Sequence, residues 1–150
     1  MCKRHVQDTW MLPPMGPTPL AASLMEYRQR TIGGALAKAA EFGYQGAMYA
    51  WESCVTGTDQ EWWGTCGKFE HHITADIGNA IEQYWLATHD DHWLATYWPL
   101  IEAIAAFWTS RATPCNRGGA PHYCINHDMG PDERKPPPPY PPPTLTCCLS

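Results

Sequence analysis

The chain has 150 residues, 44% of them hydrophobic, which is enough for one globular domain with a core and too apolar for a chain disordered throughout. Ten Lys and Arg against fifteen Asp and Glu give a net charge of −5, which leaves no basic stripe for a nucleic-acid backbone. No segment, the opening MCKRHVQDTWMLPPM included, has an apolar run long enough to span a bilayer, so neither secretion nor membrane insertion is expected.

The first predicted element runs from Pro19 to Phe42. Thr18 can cap it, Pro19 suits a first helical turn, and Leu20, Leu24 and Tyr27 share one face. Gly33-Gly34 is expected to interrupt it, giving a helix, a break and an alanine-rich second helix that ends at Gly43, a residue suited to the left-handed C-terminal position. From Gly43 to Gly67 five glycines and no sustained period predict a long irregular loop carrying Trp51, Glu52, Trp62 and Trp63. Loops of that length in compact domains are usually functional.

A helix is predicted from His72 to about Thr88, where Ile73, Ile77, Ile81, Tyr84 and Trp85 recur at spacings of three and four. After His89-Asp90-Asp91-His92 another runs to Arg111, with Leu94, Trp98, Ile101, Ala105 and Trp108 on one stripe. The short connection predicts an antiparallel pair, and twenty residues make a rod of about 30 Å. No stretch shows sustained strand alternation, although Tyr123 to Ile125 suits a brief extended piece. The fold class expected is mainly α.

Past Glu133 the composition changes to RKPPPPYPPPTLTCCLS, where proline favours an extended polyproline II conformation. A domain boundary is expected near Arg134, with residues 135–150 as a disordered proline-rich tail. Within it, Pro137, Pro138, Pro139 and Tyr140 match a short PPxY ligand for WW domains.

Seven cysteines, Cys2, Cys54, Cys66, Cys115, Cys124, Cys147 and Cys148, form an odd set without framework spacing, which favours free thiols in a reducing compartment and a cytoplasmic location. No CxxC pair offers a zinc site, and neither His71-His72 nor the HDDH run has metal-ligand spacing; Asp in that run makes a natural helix cap. Eight Trp and seven Tyr are many for this length. They suit core packing, and they equally suit flat faces for stacking sugars.

The segments DTWMLP, LMEYRQRTIGGALAKAAEFGYQGAMYAWES, EHHITADIGNAIEQYW and FWTSR followed by YCINHDMGPDE resemble, in this order, the catalytic domain of glycoside hydrolase family 65, from roughly Asp8 to Glu133. The resemblance implies part of an (α/α)₆ barrel and an inverting attack at an anomeric carbon, by water in hydrolases and by phosphate in phosphorylases. It implies an α-glucosyl saccharide as substrate and neither metal nor organic cofactor. Glu133 of GPDE is then the general acid, and Asp8, Trp51, Glu52 and Glu70 are assigned to substrate binding, with loop ordering the other reading of Glu52 and Glu70, and packing and helix capping that of Trp51 and Glu52. Such an acid must stay partly protonated near neutral pH, which burial or a neighbouring negative charge achieves; Asp132 can supply the charge.

Two departures from the family pattern stand out. Val6-Gln7 occupies the place of a Trp-Asp pair, and Arg134-Lys135 follows GPDE where Tyr-His is usual. The family's second carboxylate, which activates water in an inverting hydrolase, comes from further downstream. The chain is therefore expected to hold only part of a catalytic domain, inactive by itself, with an interaction role for the proline tail as the alternative function.

Overall fold

The structure, a computed structural model, describes residues 19–60, 66–117, 120–126 and 128. Four helices dominate: α1 (Pro19–Arg30), α2 (Ile32–Glu41), α3 (His72–Thr88) and α4 (Asp91–Arg111). A 3₁₀ turn (Cys66–Phe69) leads into α3, and an antiparallel hairpin, β1 (Thr113–Arg117) with β2 (Ala120–Cys124), follows α4. The described residues are mostly helical, as the periodicity predicts. Among the described residues no helix is long and apolar enough to cross a membrane.

The break in the first helical region falls at Thr31, not at the glycines. The Thr31 hydroxyl and amide both donate to the Tyr27 carbonyl, at 2.8 and 3.0 Å, and α2 restarts at Ile32 with Gly33 and Gly34 inside it. Gly34 serves a different end: a Cβ there would sit 2.4 Å from the Gly57 carbonyl oxygen, so its bareness lets the 54–58 turn lie against α2. α2 ends as expected, with Gly43 at φ +76° donating to the Ala40 carbonyl at 3.0 Å.

α3 and α4 form an antiparallel pair across the two residues His89 and Asp90. His71 meets Phe107 at one end, Gly78 faces Ile104 midway, and Tyr84 stacks on Trp93 at 4.2 Å at the other. Asp90 caps α4 by accepting from the Trp93 amide at 2.9 Å, the role its type predicts. The buried stripe of α4 is Tyr97, Leu100, Ile104, Phe107 and Arg111, one position before nearly every residue of the expected stripe. Trp98 is half-exposed, while Leu94, Ile101 and Trp108 flank the core. This helix is apolar around most of its circumference, so periodicity alone cannot choose between adjacent stripes; packing against α3 and the 44–50 segment chooses.

That segment is irregular, as expected, yet it runs through the interior. Ala47, Met48, Tyr49 and Ala50 are each at most 2% exposed. Buried amides need partners, and three of these four find one, each on a different helix. Ala47 donates to the Ala103 carbonyl at 2.9 Å, Met48 to the Ala35 carbonyl at 3.0 Å, and Tyr49 to the Thr74 hydroxyl at 2.9 Å. Gly46, at φ +73°, lies so close to α4 that a Cβ would come within 2.2 Å of the Ala103 carbonyl oxygen. Leu100, Phe107, Ile77 and Ile81 complete the core around it, each burial contributing about 1.5–3 kcal/mol.

The extended piece expected at Tyr123 belongs to β2, but its partner strand was not anticipated. Pro114 and Pro121 disguise both strands, and a two-stranded ladder tolerates them because each strand is an edge. The expectation of free thiols is corrected here: Cys115 and Cys124 form a disulfide across the hairpin, with Cα atoms 5.9 Å apart. Register explains it, since pairing Thr113 with Cys124 brings Cys115 diagonally opposite. Cys54 is a free cysteine. The proposed boundary near Arg134 and the PPxY residues Pro137, Pro138, Pro139 and Tyr140 lie outside those residues.

Candidate active site

Polar side chains gather where α3 begins and α4 ends. The 44–50 segment emerges there as Trp51-Glu52, both half-buried. Trp51 packs its indole on His72, the first residue of α3, with ring centroids 5.7 Å apart. Glu70, two residues before that helix, is 1% exposed and points a carboxylate oxygen at His72, 3.9 Å from Nε2. One turn into α3, burial raises the Asp76 carboxyl and the nearby His72 opposes the rise.

Beneath this wall lies a second set. Arg111, the last residue of α4, is 2% exposed and donates from Nε to Nδ1 of His71 at 2.5 Å. Its Nη2 reaches Asp128 Oδ1 at 3.4 Å, and the same oxygen stands 3.6 Å from His71 Nδ1. His71 is enclosed by Phe42, Tyr44 and Phe107, all edge-on to its ring. Burial, then the charges of Arg111 and Lys38, depresses its pKa to about 3, so it is a neutral acceptor for Arg111. Burial raises the Asp128 carboxyl, and Arg111 and His72 pull it back.

Two further buried cations fix the backbone that carries Trp51. Lys38 of α2 and Lys68 of the 3₁₀ turn each approach Asp59 Oδ2 at 3.1 Å, all three side chains being at most 10% exposed. The turn they clamp closes on itself, with Gln60 donating to the Glu52 carbonyl at 2.9 Å and Ser53 bridging to Asp59. Tyr27 donates to the Cys54 carbonyl at 2.7 Å, and the Arg28 guanidinium lies 5.2 and 5.5 Å from the ring centroids of Tyr27 and Tyr49.

Of the residues singled out in the sequence, Trp51 and Glu70 therefore converge, through His72, and Glu52 sits beside them in the chain. Asp8, Glu133, Trp62 and Trp63 lie outside the described residues. Residue types alone did not disclose the roles of His71, His72, Arg111 and Asp128. Their signal was position: each falls within EHHITADIGNAIEQYW, FWTSR or YCINHDMGPDE. An aromatic face flanked by carboxylates and an imidazole is suited to a polyhydroxylated ligand, whose hydroxyls donate to carboxylates and whose ring carbons stack on indole. Among the described residues no three His, Cys, Asp or Glu converge as a metal site.

The pattern of the glycosyl hydrolase family 65 central catalytic domain matches residues 10–137. The chain belongs to that family. Within family 65 it is 39% identical over 130 residues to the kojibiose hydrolase of Flavobacterium johnsoniae, covering 84% of this chain and 19% of that protein. It is 39% identical over 131 residues to the protein-glucosylgalactosylhydroxylysine glucosidase of Gallus gallus, covering 85% and 18%. A kojibiose phosphorylase of Halothermothrix orenii is 39% identical over 130 residues, covering 76% and 16%. The chain thus spans less than a fifth of the length of these curated relatives.

Proposed function

We propose that this family 65 segment serves the inverting hydrolysis of an α-glucosyl disaccharide unit, as part of an (α/α)₆ barrel, with Glu133 as general acid. The observation that supports it best is the wall at the start of α3, where Trp51, His72 and the buried Glu70 carboxylate stand together on a backbone clamped from three helices. In this account a glucosyl ring stacks on Trp51, and Glu52 and Glu70 accept its hydroxyl hydrogens. Glu133 delivers a proton to the glycosidic oxygen while water bonds to the anomeric carbon from the opposite face and gives its proton to a second carboxylate from elsewhere in the domain, so the leaving sugar departs as a neutral alcohol. The relatives' names point to kojibiose and glucosylgalactosylhydroxylysine as the compounds to try first.

The test is glucose release from both compounds, with and without phosphate, by protein carrying this segment. Glu133→Gln is expected to lower the rate by about 10²–10⁴-fold, and an undiminished rate in that variant refutes the acid assignment. A strict phosphate requirement would move the proposal from hydrolysis to phosphorolysis. The wall is tested on the chain itself: titration with kojibiose should shift the Trp51 indole resonance saturably, and no shift up to tens of millimolar counts against a saccharide site there.

A further inference from the structure

We infer that the Cys115–Cys124 bond is a redox latch on the buried set beneath the candidate site. Closed, it keeps Asp128 on Arg111; opened by a dithiol, it lets Asp128 go and takes that counter-charge from the guanidinium. The inference holds whichever ligand the Trp51 wall takes.

The hairpin depends on that bond. Its two strands have five residues each, both contain a proline that cannot donate to the ladder, and a lone two-stranded hairpin is marginally stable in water. Tyr123 and Ile125 are exposed, so they add little burial. The ladder is supplemented at its base by two polar contacts open to water: the Thr113 hydroxyl donates to the Cys124 carbonyl at 3.2 Å, and Asn126 donates to the Thr113 hydroxyl at 3.4 Å. With the cross-link intact, a frayed hairpin is still a loop closed over a separation of nine residues, which limits what opening gains in chain entropy. Reduction removes the limit and favours local opening. Both cysteines are half-buried in solvent-facing strands, within reach of a small thiol. One thiolate of a dithiol attacks a sulfur of the pair and its second thiol resolves the mixed disulfide; Cys115 and Cys124 leave as thiols, and the reductant becomes a cyclic disulfide.

What the latch carries is Asp128. The backbone leaves α4 at Arg111, passes out through β1, returns through β2, and meets the same Arg111 side chain at Asp128, 17 residues later. Arg111 is fixed from within, since the buried His71 accepts its Nε hydrogen from the cap position of α3. Asp128 meets the guanidinium from the other side, with its own side chain 39% exposed against 2% for His71. It is therefore the member of the set that can leave, and a contact of 3.4 Å is a weak hold once the hairpin stops delivering it. The Asp128 charge also acts on His72, whose ring packs on Trp51, so its departure is felt at the foot of the wall.

The simpler role for the bond is to staple the hairpin alone, and the experiment separates the two. In the full chain, hydrogen exchange is followed by NMR before and after dithiothreitol at the amides of β1 and β2, at the Arg111 Nε hydrogen, and at the amides of Ile77 and Ile104. Reduction is expected to speed exchange about tenfold or more at the strands and at Arg111 together, with both isoleucines unchanged. Asp128→Asn with the bond intact should speed Arg111 and leave the strands slow. Cys115→Ser combined with Cys124→Ser should exchange fast without reductant and ignore its addition. Faster strands with an unmoved Arg111 overturn the inference, as does an unmoved Arg111 in Asp128→Asn. Unchanged exchange throughout, equal acceleration at the isoleucines, or a reductant response in the double variant, which would assign the effect to another thiol, overturns it as well.

Discussion

Acid is expected to destabilise this chain through one imidazole. His71 is 2% exposed, and its folded-state pKa falls from 6.5 to about 3 because burial and the neighbouring Arg111 and Lys38 charges oppose protonation. In the unfolded chain the same imidazole takes up a proton near pH 6.5, so below that pH the unfolded state binds a proton that the folded state refuses. Stability therefore falls as pH drops from about 6.5 toward about 3 and is fully retained above 6.5. At about 1.36 kcal/mol per pH unit, that separation sets a ceiling of about 5 kcal/mol, of which about 2 kcal/mol is lost between pH 7 and pH 5. Asp76 and Asp128 act oppositely, since their raised folded-state pKa values add stability as they protonate, which offsets part of the loss toward the acid end. Urea unfolding is the assay. With a slope of about 2 kcal/mol per molar, the midpoint should fall by about 1 M from pH 7 to pH 5. His71→Asn is the control, because its amide oxygen can stand near Nδ1 and accept from Arg111 without titrating. If that variant loses as much stability over the same interval as the unsubstituted chain, His71 is not the source and the reasoning fails.

Three further outcomes are expected. Asp90→Ala removes the acceptor for the Trp93 amide at the start of α4 and should cost about 1 kcal/mol in thermal or urea unfolding; an unchanged midpoint refutes the cap. Gly43→Ala and Gly46→Ala both place a side chain in left-handed backbone, at a cost of about 1–2 kcal/mol, but only at Gly46 does the new Cβ meet α4 backbone at 2.2 Å. Gly46→Ala should therefore lose far more stability, and equal losses would contradict the packing of the 44–50 segment. Reductant should lower the urea midpoint by the equivalent of about 2–3 kcal/mol by opening Cys115–Cys124, and Cys115→Ser should abolish that sensitivity.

Much of the secondary structure was legible because it is governed by local rules. The spacing of Ile73, Ile77 and Ile81 marks α3, Asp90 marks the start of α4, and Gly43 marks the end of α2, each through a mechanism that acts within a few residues. What escaped depends on partners distant in sequence. Gly33-Gly34 looks like a breaker until Gly57 arrives against Gly34. The buried side of α4 is undetermined by its own residues, since Trp98 and Tyr97 are both apolar and only the 44–50 segment and α3 decide between them. The hairpin was hidden by its prolines, although the Gly118-Gly119 pair between its strands is the kind of signal that marks a two-residue turn. At the site, Trp51 and Glu70 were named from the sequence and do converge. The link between them, His72, and the Arg111–His71–Asp128 set beneath have no compositional mark, because a buried His or Arg is defined by its surroundings.

The burial of Ala47 through Ala50 bears directly on how such a site can be held. A surface loop bearing Trp51 and Glu52 would fluctuate with few restraints, and ordering it on binding would cost roughly 1–2 kcal/mol per residue. Here the four residues before Trp51 are core, the amides of Ala47, Met48 and Tyr49 caught by α4, α2 and α3, and the residues after it are clamped by Lys38 and Lys68 through Asp59. The indole is thereby set by the packing of three helices, and much of the ordering cost is met on folding, before any ligand arrives. The same design makes the wall sensitive to the core. A change at Phe107 or Ala103 alters the surface on which Gly46 and Ala47 rest, and is expected to displace the indole through the tightly packed backbone between them.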